Sequence, residues 1–138
     1  MNSDNSSIQE LKETYHKQQL NPDGAGIPRE QWPRDVQRAV SSIHGHMLSG
    51  SKLTVSWIRQ QCHINSKMFS ARFKRCTGYY PSEYVTHHRL EVAKRILKQT
   101  EATVTDIALE SGFSSLSSFA NTFKNHEGLS PSEWREWH

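Results

Sequence analysis

The stretch GLSPSEWR, residues 128–135, repeats the pattern of GYYPSEYV, residues 78–85, and the sequence before both stretches matches as well. At a shift of fifty positions the matched pairs are Gly78 and Gly128, Lys74 and Lys124, Phe73 and Phe123, and Phe69 and Phe119. At a shift of forty-nine they are Ile64 and Phe113, Cys62 and Ser111, Ile58 and Ile107, and Val55 and Val104. The chain therefore contains two copies of one unit, and a turn absorbs the one-residue slip between them.

The second copy has the start and stop signals of two short helices joined by a tight turn. Thr103 opens the first helix because its hydroxyl accepts from free backbone amides, and an acid three residues later suits the positive helix end. Gly112 closes it, since glycine takes the left-handed conformation at low cost. Ser114 or Ser115 then caps a second helix that runs to about His126. This order predicts a helix-turn-helix unit.

The first copy predicts the same unit from Thr54 to Gly78, with Asn65 as the cap of its second helix. Both second helices carry inward-pointing aromatic side chains at i, i+4 spacing: Phe69, Phe73, Phe119 and Phe123. His63 occupies the turn position that Gly112 holds in the second unit, and a left-handed turn is less favourable for histidine than for glycine.

Between the units, Pro81 at a permitted first-turn position starts a longer helix that ends at about Lys98. At about 1.5 Å per residue this linking helix is roughly 25 Å long. It would hold two recognition helices about one DNA turn apart, roughly 34 Å, in successive major grooves. The sequence thus predicts an all-α fold of two helix-turn-helix subdomains (54–78 and 103–128) joined by a long linking helix (81–98), a homeodomain-like tandem.

Two further helices are expected before the repeat. Residues 33–48 carry an apolar stripe that would cover the first unit, and it comprises Val36, Ala39, Val40, Ile43 and Met47. Residues 1–31 form a polar extension, in which Ser7 and Glu10 make a capping box for a short helix over 7–20, before NPDGAGIP breaks the pattern. We expect this extension to be a flexible linker or a small docking helix. A dimerisation helix is disfavoured because one short stripe buries little surface.

Charge and composition limit the function. The net charge is +3 over 138 residues, but ten Lys and Arg against two Glu lie between Ser51 and Lys98. Such a concentration favours nucleic acid as a partner, with a solvated helix face as the alternative.

No apolar run is long enough to span a membrane, and the polar start MNSDNSS is no signal peptide, so we expect a cytoplasmic, nucleoid-associated protein. Cys62 and Cys76 are expected to be buried, reduced thiols.

Catalytic and metal-binding patterns are missing from the sequence. His44-x-His46 and the pair His87-His88 have no completing acidic or cysteine ligands, and adjacent helical side chains point about 100° apart. There is no nucleophile elbow, phosphate-binding glycine loop or pair of catalytic carboxylates. The sequence therefore predicts a binding protein without a cofactor, not an enzyme.

The run RLEVAKRILKQTEATVTDIALESGFSSLSSFANTFKNHEGLSPSEWR, residues 89–135, resembles the DNA-binding domain of the AraC/XylS family of bacterial transcription regulators. The resemblance covers roughly residues 32–137 and implies a DNA-binding domain over 32–138, monomeric in itself, that reads an asymmetric site and activates through contact with RNA polymerase. A tandem direct repeat predicts the same asymmetry because no two-fold axis relates its units. Most family members carry a sensing or dimerisation domain before this point, so the chain is either a free-standing regulator or a fragment of a longer one.

The faces opposite the phenylalanines are expected to contact DNA. Lys67 can reach guanine O6 and N7, and Asn121 can bind adenine through two hydrogen bonds. By helix geometry and by the family pattern, the other base-facing positions are Ser70, Ala71, Ser117 and Ser118. Those expected at the phosphate backbone are Ser66, Lys74, Arg75 and Lys124. The alternative for each is an ordinary exposed polar residue.

Several positions depart from the family pattern, among them His63 in the turn of the first unit and Arg59, where the family usually has alanine after an apolar residue. The family often has arginine at the positions of Ala71 and Asn121, and an apolar residue at that of Arg72. We expect the stem of Arg72 to lie on apolar surface with its charged head in water. The departures suggest an unusual target sequence.

The sequence therefore predicts a sequence-specific, double-stranded DNA-binding transcription regulator that acts as an activator. The alternative is a helical protein-interaction adaptor whose basic face binds an acidic partner. A steep loss of affinity for random duplex DNA with salt would distinguish the two.

Overall fold

The computed structural model describes residues 2–19, 27–50 and 53–138, and all regular structure within these ranges is helical. The α-helices of these ranges are α1 (Asn2–Gln19), α2 (Arg34–His46), α3 (Val55–Gln61), α4 (Phe69–Thr77), α5 (Pro81–Gln99), α6 (Val104–Glu110), α7 (Leu116–Glu127) and α8 (Pro131–Trp137), with a 3-10 turn at Arg29–Gln31. Helices α2, α3 and α4 form the first subdomain, α6, α7 and α8 form the second, and α5 contacts both. The predicted all-α tandem fold is confirmed. None of the described helices combines the length and the apolar character needed to cross a bilayer.

Side-chain caps start the short helices at the predicted residues. Thr54 and Thr103 each accept a hydrogen bond from the backbone N–H three residues later, at 3.1 Å. Ser115, one of the two predicted caps of α7, does the same at 3.0 Å. Each cap satisfies an amide that has no partner within the helix, and such caps contribute about 1 kcal/mol. Helices α3 and α6 have only seven residues each, so caps and tertiary packing must stabilise them.

Each subdomain is built around a pair of phenylalanines four residues apart. Phe69, Phe73, Phe119 and Phe123 are 0% exposed, as predicted, and the rings within the two pairs meet edge to face at 5.8 and 5.6 Å. Full burial of such a side chain stabilises the fold by about 1.5 to 3 kcal/mol. The residues of the predicted stripe are buried, and α2 packs against α4, the helix that carries the first pair. Cys62 and Cys76 are buried free thiols. This packing fixes the inner faces of α4 and α7 and leaves their outer faces to solvent.

The two recognition helices differ in length. Helix α7 has 12 residues, whereas α4 has 9 and begins at Phe69. The prediction that Asn65 caps α4 is wrong, because residues 66–68 form a turn in which the Ser66 hydroxyl accepts from the Met68 N–H at 3.1 Å. A serine hydroxyl offers the backbone a partner other than the helical ladder, so the chain turns before it enters the helix. The strained turn at His63 is confirmed by a φ of +54°.

Helix α1 docks on α5. It begins at Asn2, before the predicted start at Ser7, so Ser7 lies inside the helix and does not cap it. Ile8 and Tyr15 are 4% and 2% exposed, which agrees with the docking-helix alternative and not with a flexible linker for this segment. The predicted breaker NPDGAGIP lies outside the described residues except for its last two positions.

Candidate nucleic-acid interface

The recognition helices present their polar side chains to solvent on the faces opposite the phenylalanines. Of the ten residues predicted to contact DNA, eight are exposed and two, Ser66 and Ser70, are half-buried. On α4 and the turn before it the exposed members are Lys67, Ala71, Lys74 and Arg75, and on α7 they are Ser117, Ser118, Asn121 and Lys124. The structure brings each set to the surface of its own subdomain. Their roles at DNA stay predictions.

Lys67 lies in the turn that precedes α4, and neighbouring contacts hold this turn in place. The Ser66 hydroxyl accepts from the Met68 N–H and also from Arg72 Nη1 at 3.3 Å. Arg72 Nη2 pairs with the carboxylate of Asp35 on α2. The expectation that the head of Arg72 lies in water is therefore wrong, because Asp35, 37 residues earlier, binds it. This connection to α2 fixes the backbone that carries Lys67, so less order must be gained on binding.

The cations predicted to face DNA are not neutralised by acidic residues within the described part of the chain. None of the ion pairs found there involves Lys67, Lys74, Arg75 or Lys124. The Lys74 ammonium lies 4.4 Å from the centre of the Tyr80 ring, a cation–π contact that holds it near the end of α4. The outer face of α4 therefore carries positive charge that can attract phosphate.

Other cations of the basic stretch between Ser51 and Lys98 make contacts within the protein. Lys94 pairs with two glutamates at 2.7 and 3.3 Å, and the Arg95 guanidinium lies 4.7 Å from the centre of the Tyr15 ring. Arg89 Nε donates to the Met47 carbonyl at 2.7 Å. Fewer cations are therefore available to a partner than the charge count of the stretch indicates, because contacts within the protein engage these three cations of α5.

The two subdomains touch at the turn of the second unit. Gly112 lies so close to the end of α2 that an added Cβ would overlap the Met47 carbonyl oxygen. The same Cβ would lie 2.8 Å from Arg89 Nε and 3.1 Å from Leu48 Cα. Closely packed backbone resists displacement, so this contact helps to set the orientation of α7 relative to the first subdomain.

Helix α1 contacts both subdomains as well as α5. Lys12 pairs with Glu110 of α6 at 2.9 Å, on the side of the second subdomain. The His16 ring meets the His44 ring of α2 edge to face, with centroids 6.0 Å apart. The helix therefore braces the two units against each other across the linking helix.

A cluster of two histidines and two tyrosines, all buried except the half-buried His44, joins α1, α2 and α5. The Tyr15 hydroxyl is hydrogen-bonded to His88 Nδ1, and the Tyr84 hydroxyl is hydrogen-bonded to His44 Nε2 at 2.6 Å. Burial lowers the pKa of His44 to about 4 and that of His88 to about 3, and it raises the pKa of both tyrosines. Both imidazoles are therefore neutral at neutral pH and act as hydrogen-bonding partners within the fold.

One exposed residue beside the predicted contacts, Met68, is not among the residues that the sequence pattern predicts to contact DNA. Met68 is 60% exposed at the start of α4. It pairs with Ser118 at the shift of fifty that relates the two recognition helices, and Ser118 was predicted to face bases. The match between Met68 and Ser118 in the repeat is therefore the sequence signal that places Met68 on the outer face of the first unit.

Known proteins share this sequence pattern and this fold. A family model described as a helix-turn-helix domain matches residues 59–136, more than half of the chain. The chain is 33% identical over 97 residues to the uncharacterized HTH-type transcriptional regulator YobQ of Bacillus subtilis, and the match covers 70% of this chain and 39% of YobQ. The chain thus spans about two fifths of the length of that relative.

Two solved structures are similar to the whole tandem. The C-terminal domain of AraT, a response regulator from Geobacillus stearothermophilus, is 25% identical with a TM-score of 0.72, over 78% of this chain and 88% of that one. A transcriptional regulator described as AraC-type DNA-binding domain-containing, from Chromobacterium violaceum, is 29% identical with a TM-score of 0.61, over 74% and 89% of the two chains. Taken with the repeated units and their exposed recognition faces, these matches show that the chain belongs to the AraC/XylS family of transcription regulators and carries its DNA-binding domain of two helix-turn-helix units.

Proposed function

We propose that this chain binds a specific sequence of double-stranded DNA through both recognition helices and activates transcription. The observation that carries the proposal is the pair of exposed recognition faces on subdomains that are packed against each other. The linking helix α5 has 19 residues. At 1.5 Å per residue its length is about 28 Å, comparable with the roughly 34 Å of one DNA turn. Helices α4 and α7 would then enter successive major grooves on one side of the duplex.

The residues of the two faces divide into base readers and phosphate contacts. Lys67 donates to guanine O6 and N7, and the Asn121 amide makes two hydrogen bonds to adenine. The other base-facing residues are Ser70, Ala71, Ser117 and Ser118. Phosphate contacts come from Ser66, Lys74, Arg75 and Lys124, which set the register of the domain on the duplex without reading sequence.

The direct repeat determines the form of the binding site. A single domain carries both recognition helices, and no two-fold axis relates them, so it binds as a monomer to a site whose halves differ. Bound there, the protein activates by contacting RNA polymerase. The chain acts by binding, with no catalytic step and no cofactor.

Selection of bound sequences from a random duplex pool tests the DNA-binding proposal. We expect a bipartite, non-palindromic site with about ten base pairs between the centres of its halves. Affinity for random duplex should also fall steeply with salt, because neutralised phosphates release counterions. A pool without enrichment, together with salt-insensitive binding, would support the adaptor alternative instead. Enrichment of a palindromic site would contradict the proposal that the domain binds DNA as a monomer.

The activator proposal needs a separate measurement. Transcription in vitro with purified bacterial RNA polymerase, from a promoter with the selected site upstream, should increase when the protein is added. A template with the two half-sites scrambled is the control. A decrease on the intact template would show that the protein represses there.

A further inference from the structure

Met68 occupies an unusual place for a large apolar side chain. It is 60% exposed, although methionine is among the residues that folding most often buries. Ala71 and Arg75 follow on α4 at spacings of three and seven residues, so extending the helical spacing back by one residue from Phe69 places the three side chains in one row. Both are exposed, on the side of the helix away from Phe69 and Phe73. The row therefore lies on the face of α4 that would enter the groove.

The backbone beneath Met68 is held in a defined position. Its N–H donates to the Ser66 hydroxyl at 3.1 Å, and the same hydroxyl accepts from Arg72, which pairs with Asp35 of α2. These contacts connect the backbone of Met68 to α2 of the first subdomain. The unbranched, polarisable thioether beyond it can still adapt to the surface that it meets. Met68 therefore combines a backbone held by hydrogen bonds with a flexible side-chain end, which suits contact with a small apolar group.

Cations surround the apolar pair formed by Met68 and Ala71. Lys67 precedes it, and Lys74 and Arg75 follow it on the same helix, all exposed. Lys74 and Arg75 are the predicted phosphate contacts among them, so they would hold the helix at the DNA backbone while Lys67 and the apolar pair face the base edges. In the major groove the apolar group on the base edges is the C5 methyl of thymine.

We propose that Met68 and Ala71 read the methyl group of a thymine in the half-site bound by the first unit. The inference rests on the proposed DNA-binding function. The matched positions of the second unit hold Ser118 and Asn121, which are polar. The two half-sites are therefore read by different chemistry: an apolar contact to a thymine methyl in one, and hydrogen bonds in the other.

Removal of single methyl groups from the DNA tests the inference. The site selected from the random pool is resynthesised with deoxyuridine replacing each thymine in turn, and affinity is measured by fluorescence anisotropy at fixed salt. The first half-site is identified as the one whose base preference Lys67→Ala relaxes. We expect one replacement there to weaken binding by about fourfold, as for the loss of one buried methyl-sized contact. Met68→Ser should reduce the ratio of the two affinities well below the wild-type value, because only the Ala71 contact to the methyl group remains.

Two further variants make the result specific. Met68→Leu, which keeps an apolar side chain, should restore the preference for thymine. Leu109→Ser, at an exposed apolar residue of α6 outside the predicted DNA contacts, should leave that preference unchanged. The inference is overturned if the selected first half-site lacks a methyl-sensitive thymine, or if Met68→Ser keeps the wild-type ratio. A pool without enrichment would overturn the DNA-reading function as well, so the two failures are distinguishable.

Discussion

Replacement of Gly112 by alanine tests whether the two subdomains are packed together in solution. Gly112 has a φ of +92°, in the left-handed region, where an L side chain costs about 1 to 2 kcal/mol. The new Cβ would also overlap the Met47 carbonyl oxygen, so the backbone at the end of α2 or the turn itself would have to move. Overpacking of this kind costs about 1 to 3 kcal/mol. We therefore expect the free energy of unfolding to fall by about 2 to 5 kcal/mol.

Gly128→Ala is the matched control. Gly128 has a φ of +81°, but a Cβ built there meets nothing within 4 Å. Only the backbone strain of about 1 to 2 kcal/mol should remain. Urea denaturation followed by circular dichroism gives both values, and their difference isolates the contact with α2. Equal losses for the two variants would refute the packing of the second turn against α2.

Lys67→Ala and Asn121→Ala should each cost about 1 to 3 kcal/mol of binding free energy and relax the base preference in one half-site. Affinities for single-base variants of the selected site measure this effect. An equal loss of affinity for random DNA would show that these residues do not read bases. Lys74→Ala should weaken binding to the specific and the random duplex alike and reduce the slope of log affinity against log salt concentration by about 1. A loss of affinity confined to the specific site would contradict a phosphate contact. The pKa values of His44 and His88 in the folded protein, about 4 and about 3, lie below the roughly 6.5 of an unfolded histidine, so the unfolded chain binds protons first as pH falls. The contribution of these two rings to the free energy of unfolding should therefore be complete above the unfolded pKa and decrease below it by up to about 1.4 kcal/mol per pH unit for each ring. The dependence of the free energy of unfolding on pH should be shallower in the double variant His44→Gln/His88→Gln.

Local rules of helix formation predicted most of the fold. The caps at Thr54, Thr103 and Ser115 and the buried phenylalanine pairs all depend on residues within one or two turns of each other. The duplicated pattern then identified the two units without any long-range information. Local reasoning failed at Asn65 because the neighbouring Ser66 competes for the same turn, and its hydroxyl meets the Met68 amide.

The candidate interface could be predicted less completely. Within α4 and α7, all the chosen positions except Ser70 are exposed, as helix periodicity predicts, since the opposite faces carry the core. The anchored turn below Lys67 and the exposure of Met68 depend on where the chain leaves the turn and enters α4, which periodicity alone does not determine. Likewise, a count of charges could not separate the cations of α4 from those of α5 that bind within the protein.

The sequence by itself determined the two helix-turn-helix units, their order and the helix between them, because helical periodicity and capping act between near neighbours. Only the tertiary structure decided that α1 braces both subdomains, that Asp35 binds Arg72, and that Gly112 closes against the end of α2. The Lys12–Glu110 pair, for example, joins residues 98 positions apart. Such contacts arise from how whole helices pack, and no local pattern in the chain specifies which distant side chain will meet which.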